Sequence, residues 1–150
     1  MHALRDLERL FGGRRYLAVI FAGIVAGNWL GLVSSPPLTI ACGASSGVCG
    51  AVGGYVAARL VNRGVAPLTA RDFAWVGQIL AINLAIQAFG GGAGLDHYGH
   101  LGGLLGGAVA AVLLGPRLKW ATRGGGGGGL VDAPPLPVLL WRGGRVPPGW

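Results

Sequence analysis

The sequence predicts an all-α membrane protein, a polytopic helical bundle with four transmembrane helices. Three observations carry that prediction. Hydrophobic residues make up 52% of the 150 and charged residues only 11%, with a mean hydropathy of +0.58; soluble domains carry about 25% charged residues. Apolar runs of spanning length recur, at about residues 16–33, 38–60, 73–89 and 99–114. The chain also holds 31 glycines, a burden for isolated soluble helices but well suited to membrane helices, whose backbones approach closely through small side chains.

Residues 1–15 place Leu4, Leu7, Leu10 and Phe11 at helical spacing with Arg5, Asp6, Glu8 and Arg9 between them. That pattern predicts an amphipathic interfacial segment ending at Gly12-Gly13. With six charges in these residues and no apolar core, no signal peptide is expected. The first apolar run, 16–33, has Asn28 as its one strongly polar side chain, and Ser34-Ser35-Pro36-Pro37 ends it because consecutive prolines withdraw donors and disfavour helix before them. The second run is 38–60. The third, 73–89, repeats Gln78, Asn83 and Gln87 at steps of five and four, and those amides are expected to face neighbouring helices rather than lipid. Asn28, Gln78 and Asn83 are read as interhelical hydrogen-bonders. The transmembrane core thus covers 16–118. Residues 119–150 begin basic, run through Gly124 to Gly129 and continue rich in Pro and Gly, a composition that predicts a disordered, non-catalytic tail from about 121.

The basic residues set an orientation. Arg14 and Arg15 precede the first run, Arg59, Arg63 and Arg71 separate the second from the third, and Arg117, Lys119 and Arg123 follow the fourth, while the connections at 34–37 and 90–98 contain no Lys or Arg. The positive-inside rule places those two connections on the non-cytoplasmic side. The net charge of +7 is therefore assigned to membrane topology and not to nucleic acid, since no aromatic platform is interleaved with it.

Chemistry concentrates in Cys42-Gly43-Ala44-Ser45-Ser46-Gly47-Val48-Cys49-Gly50 and in Asp96-His97-Tyr98-Gly99-His100-Leu101-Gly102-Gly103. Ser46 reads as a buried nucleophile that needs a proton acceptor, and His100 is the histidine in a comparable setting, because both follow outer connections and share a depth. If residues 39–44 are irregular and the helix starts near Ser45 or Ser46, the 15 residues to Leu60 span about 22 Å and leave roughly 8 Å of a 30 Å core above the serine. A serine there sits at a helix N-terminus, whose free N–H groups favour a developing oxyanion. Cys42 and Cys49 are about 10 Å apart if helical, too far for a disulfide, and read as packing residues. His97 and His100 lack the further ligands of a metal site. No metal or other cofactor is implied.

These segments resemble the rhomboid family of intramembrane serine proteases. Leu7-Glu8, Phe11-Gly12 and Arg14-Arg15-Tyr16-Leu17 resemble the family's entrance to its third helix, Ala44-Ser45-Ser46-Gly47-Val48 the GxSG segment opening the fourth, and His100-Leu101-Gly102-Gly103 with Gly107 the HxxGxxxG of the sixth. The resemblance implies that the four helices correspond to the family's third to sixth, the first two having no counterpart in the chain. It further implies an intramembrane endopeptidase acting on transmembrane segments of membrane proteins, with Ser46 as nucleophile and His100 as general base and then acid. The Ser46 N–H contributes to the oxyanion hole, Gly103 and Gly107 bring the sixth helix close, and Gly43, Gly47 and Gly50 supply the facing surface. Three departures accompany the resemblance: the HxxxN motif is absent, Ala44 replaces the first glycine of GxSG, and Gly50 stands where an aromatic often stacks on the histidine. The alternative is a truncated or inactive relative that binds transmembrane clients without cutting them; a pore is a weaker fit, since no charged residue lies between 16 and 58 to line a pathway.

Overall fold

The computed structural model describes residues 2–34, 44–89, 96–123, 127–133 and 135–136. Five helices and a two-stranded sheet are found among them: α1 (His2–Phe11), α2 (Gly13–Ser34), α3 (Ser45–Val61), α4 (Ala70–Phe89), α5 (His97–Leu114), β1 (Leu118–Arg123) and β2 (Gly127–Asp132). By length and composition α2 and α5 can cross a membrane. The 22 residues of α2 extend about 33 Å.

The core is a three-helix contact of α2, α3 and α5, with α4 touching it sparsely. Glycine makes that contact possible. A methyl group at Gly50 would lie 2.8 Å from the Gly23 Cα, and one at Gly102 would lie 2.6 Å from the Ala26 carbonyl oxygen; real side chains do not approach so closely, so backbone meets backbone at these points. α1 turns into α2 at Gly12, whose φ of 72° lies in the left-handed region that glycine adopts freely. Its apolar stripe is then laid on the bundle, with Leu7, Leu10 and Phe11 all buried.

One end of the bundle is tied by polar contacts. Buried Asn62, at the C-cap of α3, donates to the carbonyls of Ala58 and Pro116, both at 2.8 Å, and accepts the Leu118 N–H at 2.7 Å. Buried Arg15 pairs with Asp132 at 2.5 Å, and the same carboxylate accepts the Arg117 N–H at 3.0 Å. On the α4 side, Asp72 accepts from the Tyr55 hydroxyl and from the N–H and hydroxyl of Thr69, while Trp75 packs edge-on against Tyr55 at 5.3 Å.

Three sequence expectations are corrected. Residues 119–150 are not disordered throughout: β1 and β2 pair antiparallel from Leu118 opposite Asp132 to Arg123 opposite Gly127. Burial of Leu118, packing of Leu130 against the core and the Arg15–Asp132 pair hold that hairpin to the bundle. Asn28 is exposed, and so is Gln78. Asn83 donates to the Ile79 carbonyl of its own helix at 2.9 Å, so among the described residues none of these three amides is found bonded to a neighbouring helix; the Gln87 side chain lies outside the described residues. Gly47 faces α2, not α5, for a methyl group there would lie 3.0 Å from Ile24. Residues 35–43, including Cys42 and Gly43, also lie outside the described residues; Cys49 is a buried free thiol.

Candidate active site

α3 begins at Ser45 after Ala44, whose side chain offers no cap. Its first-turn N–H groups, that of Ser46 among them, therefore have no partner within the helix. Val48 makes the first bond back, to the Ala44 carbonyl at 3.0 Å. Ser46 itself is 4% exposed. A nearly dry hydroxyl at an open helix end is an arrangement in which an oxyanion gains most from backbone dipoles.

The start of α5 is built differently. Asp96 caps it by accepting the Gly99 N–H at 2.6 Å, and the His100 N–H bonds the Asp96 carbonyl at 3.0 Å. His97 and Tyr98 are exposed, Gly99 is buried and His100 is half-buried. Of the two glycines flanking His100 on this helix, Gly103 meets the serine segment directly and Gly99 meets it by way of Gly27 on α2. At Gly103 any Cβ would collide with the carbonyl oxygen of Ser46 and lie 3.0 Å from its Cα; at Gly27 of α2 a Cβ would lie 2.5 Å from the Gly99 carbonyl oxygen and 2.7 Å from the Ser46 Cβ. Ser46, Gly27, Gly99 and Gly103 thus converge on one point where three helices meet, and His100 lies on the α5 turn between the two glycines. One turn further along, Gly107 packs against the Gly50 backbone, a Cβ there lying 2.5 Å from the Gly50 Cα.

The sequence reading missed the part played by α2. Gly23, Gly27 and Gly31 are all buried and recur every four residues, a small-residue stripe that was available as a signal. Gly23 lies against Gly50, Gly27 against Ser46 and Gly99, and Gly31 against Asp96, whose carboxylate oxygen would be 3.1 Å from a methyl group there. The stripe seats both the serine turn and the α5 cap.

Comparison with known protein families matches residues 2–117 to the Rhomboid domain. The chain belongs to the rhomboid family. It is also similar to "Rhomboid protease GluP" of Bacillus subtilis (strain 168), with 34% identity over 110 residues, which is 73% of this chain and 20% of that protein. The chain therefore spans about a fifth of the length of that curated relative. No solved structure matches it. Rhomboid membership makes this an integral membrane protein and its helices a membrane bundle. α2 (Leu17, Phe21, Val25) and α5 (Leu105, Val109, Leu113) each carry an exposed apolar face. The hairpin lies wholly beyond the rhomboid match, which ends at residue 117.

Proposed function

We propose that the protein is an intramembrane serine endopeptidase that cuts transmembrane segments of membrane proteins with a Ser46–His100 dyad. The observation that carries this reading is the buried serine at the N-terminus of α3, packed against Gly103, three residues after His100, and against Gly27, which also meets Gly99. Ser46 Oγ attacks the substrate carbonyl while His100 takes its proton, and the oxyanion is met by the Ser46 N–H at the helix end. His100 then protonates the departing amine, and water releases the acyl group from Ser46. Four helices, α2 to α5, span the bilayer in this reading, α1 lies along the interface, and Ser46 and His100 sit toward the non-cytoplasmic face.

Incubating the purified full chain in bilayers with a single-span substrate tests the proposal. Cleavage within the substrate's apolar segment is expected, together with labelling of Ser46 by a fluorophosphonate probe; both are lost in Ser46→Ala, and probe labelling is lost in His100→Ala. Equal cleavage by Ser46→Ala overturns the proposal, and binding of the substrate without cleavage or labelling supports the client-binding alternative instead.

A further inference from the structure

The C-terminal hairpin carries a tryptophan in a position that the bundle does not explain. Alternation along β1 puts Leu118 and Trp120 on one face, and the pairing register adds Asp132 and Leu130 to that face. Leu118 is buried in the bundle, Leu130 packs against the core and Asp132 reaches Arg15. That face is therefore the one turned toward the bundle. Yet Trp120 is 69% exposed. Of the four side chains on that face, Trp120 is the exposed one.

Continuity fixes what lies there. After β2 the chain returns to the bundle flank, where the Leu136 N–H bonds the Leu113 carbonyl at 3.2 Å. Leu136 also lines an apolar groove between α2 and α5 whose walls include Phe21, Val25, Leu105, Val109 and Leu113, exposed apolar faces suited to lipid. The hairpin thus leaves the bundle at the buried Leu118 and rejoins it among these apolar side chains, with Trp120 between. Charge agrees with that placement. Arg14 and Lys119 are exposed at this end, positive charge suited to anionic headgroups. An indole with an apolar body and one N–H donor is the side chain that settles at such an interface.

We propose that the β1–β2 hairpin is a membrane-interface anchor, with Trp120 seated in the headgroup layer of the leaflet on the basic side. The proposal rests on the membrane placement of the bundle and stands whether or not Ser46 cleaves. Tryptophan emission tests it in the full chain, reconstituted in phosphatidylcholine vesicles containing phosphatidylglycerol. The difference between the native protein and Trp120→Phe, an exchange at an exposed position, isolates the Trp120 signal. Phosphatidylcholine brominated near the top of its acyl chains is expected to quench that signal more than lipid brominated near the chain ends. Acrylamide is expected to quench it at least about twofold less than a water-exposed indole, as for an interfacial ring. Full acrylamide quenching with no effect of brominated lipid overturns the proposal by putting Trp120 in water. Protection from both quenchers overturns it as well, by showing that protein covers the ring.

Discussion

Gly103 shows how much of the candidate site rests on a missing side chain. Its Cα lies so near the Ser46 backbone that even a methyl group collides with the Ser46 carbonyl. Gly103→Val is expected to force α5 off α3, at about 1–3 kcal/mol or more for overpacking. Thermal unfolding in detergent should show a lower midpoint, and Ser46 should lose fluorophosphonate labelling. A variant with an unchanged midpoint contradicts the close contact. Asp72 makes the opposite case, a side chain whose loss is felt. Its burial alone raises its pKa, but hydrogen bonds from Tyr55 and Thr69 and the Arg59 charge outweigh that and hold the carboxyl below the usual carboxylate range. A folded pKa below the unfolded one means that this stabilisation is present above the ordinary carboxylate pKa and is lost as pH falls through the lowered value. Asp72→Asn is expected to cost about 1–3 kcal/mol near neutral pH, and its melting temperature should fall less than that of the native protein as the medium is acidified. Single residues were unevenly legible. Gly103 and Gly107 stand at i+3 and i+7 from His100, so helical spacing alone put them on its face. Thr69-x-x-Asp72 is a capping-box pattern, but nothing in the sequence paired Asp72 with a tyrosine on another helix.

Among the elements, α1 and the hairpin mark the two extremes of what a pattern can reveal. The stripe of Leu7, Leu10 and Phe11 has a helical period, so the buried face of α1 could be read directly. The beginning of α3 could be inferred from depth, because a helix starting near Ser45 was the arrangement that let the serine turn meet the start of α5. The hairpin had no such signal. Gly127–Gly129 belong to an unbroken glycine run, which has no alternation to reveal a strand; its stability comes from pairing with β1 and from contacts distant in sequence. The bundle end holds that hairpin through Asp132, which binds both the Arg15 side chain and the Arg117 N–H. Asp132→Ala leaves the 4%-exposed Arg15 without its counter-charge, a change that favours release of the hairpin to hydrate the guanidinium. Limited trypsin digestion of the reconstituted protein should then cut after Lys119 in the variant well before it does so in the native chain. Equal digestion rates indicate that the hairpin is held without the ion pair.

At the scale of the whole molecule, the polar contacts sort the chain into two ends. Arg15 with Asp132, Asn62 with Pro116 and Leu118, and Arg59 with Asp72 and Tyr55 gather at the N-terminus of α2 and the C-termini of α3 and α5. Gly31 with Asp96, and Gly27 with Ser46 and Gly99, gather at the opposite end. The basic residues that the sequence read as a topological signal thus share one end, and the serine turn lies at the other. The positive-inside rule acts on such a separation, so the proposed orientation can be tested without reference to catalysis. Lys119→Cys and Tyr98→Cys, each at an exposed side chain and each in a chain whose Cys42 and Cys49 are replaced by Ala, report on the two ends. In sealed right-side-out vesicles a membrane-impermeant maleimide is expected to label the cysteine at position 98 and to spare the one at 119, and inverted vesicles should reverse the pattern. Labelling of position 119 alone in right-side-out vesicles would place Ser46 on the cytoplasmic side and refute cleavage near the outer face. Labelling of both positions from one side is incompatible with a bundle that crosses the bilayer between its two ends, since about 25 Å of α3 separates them.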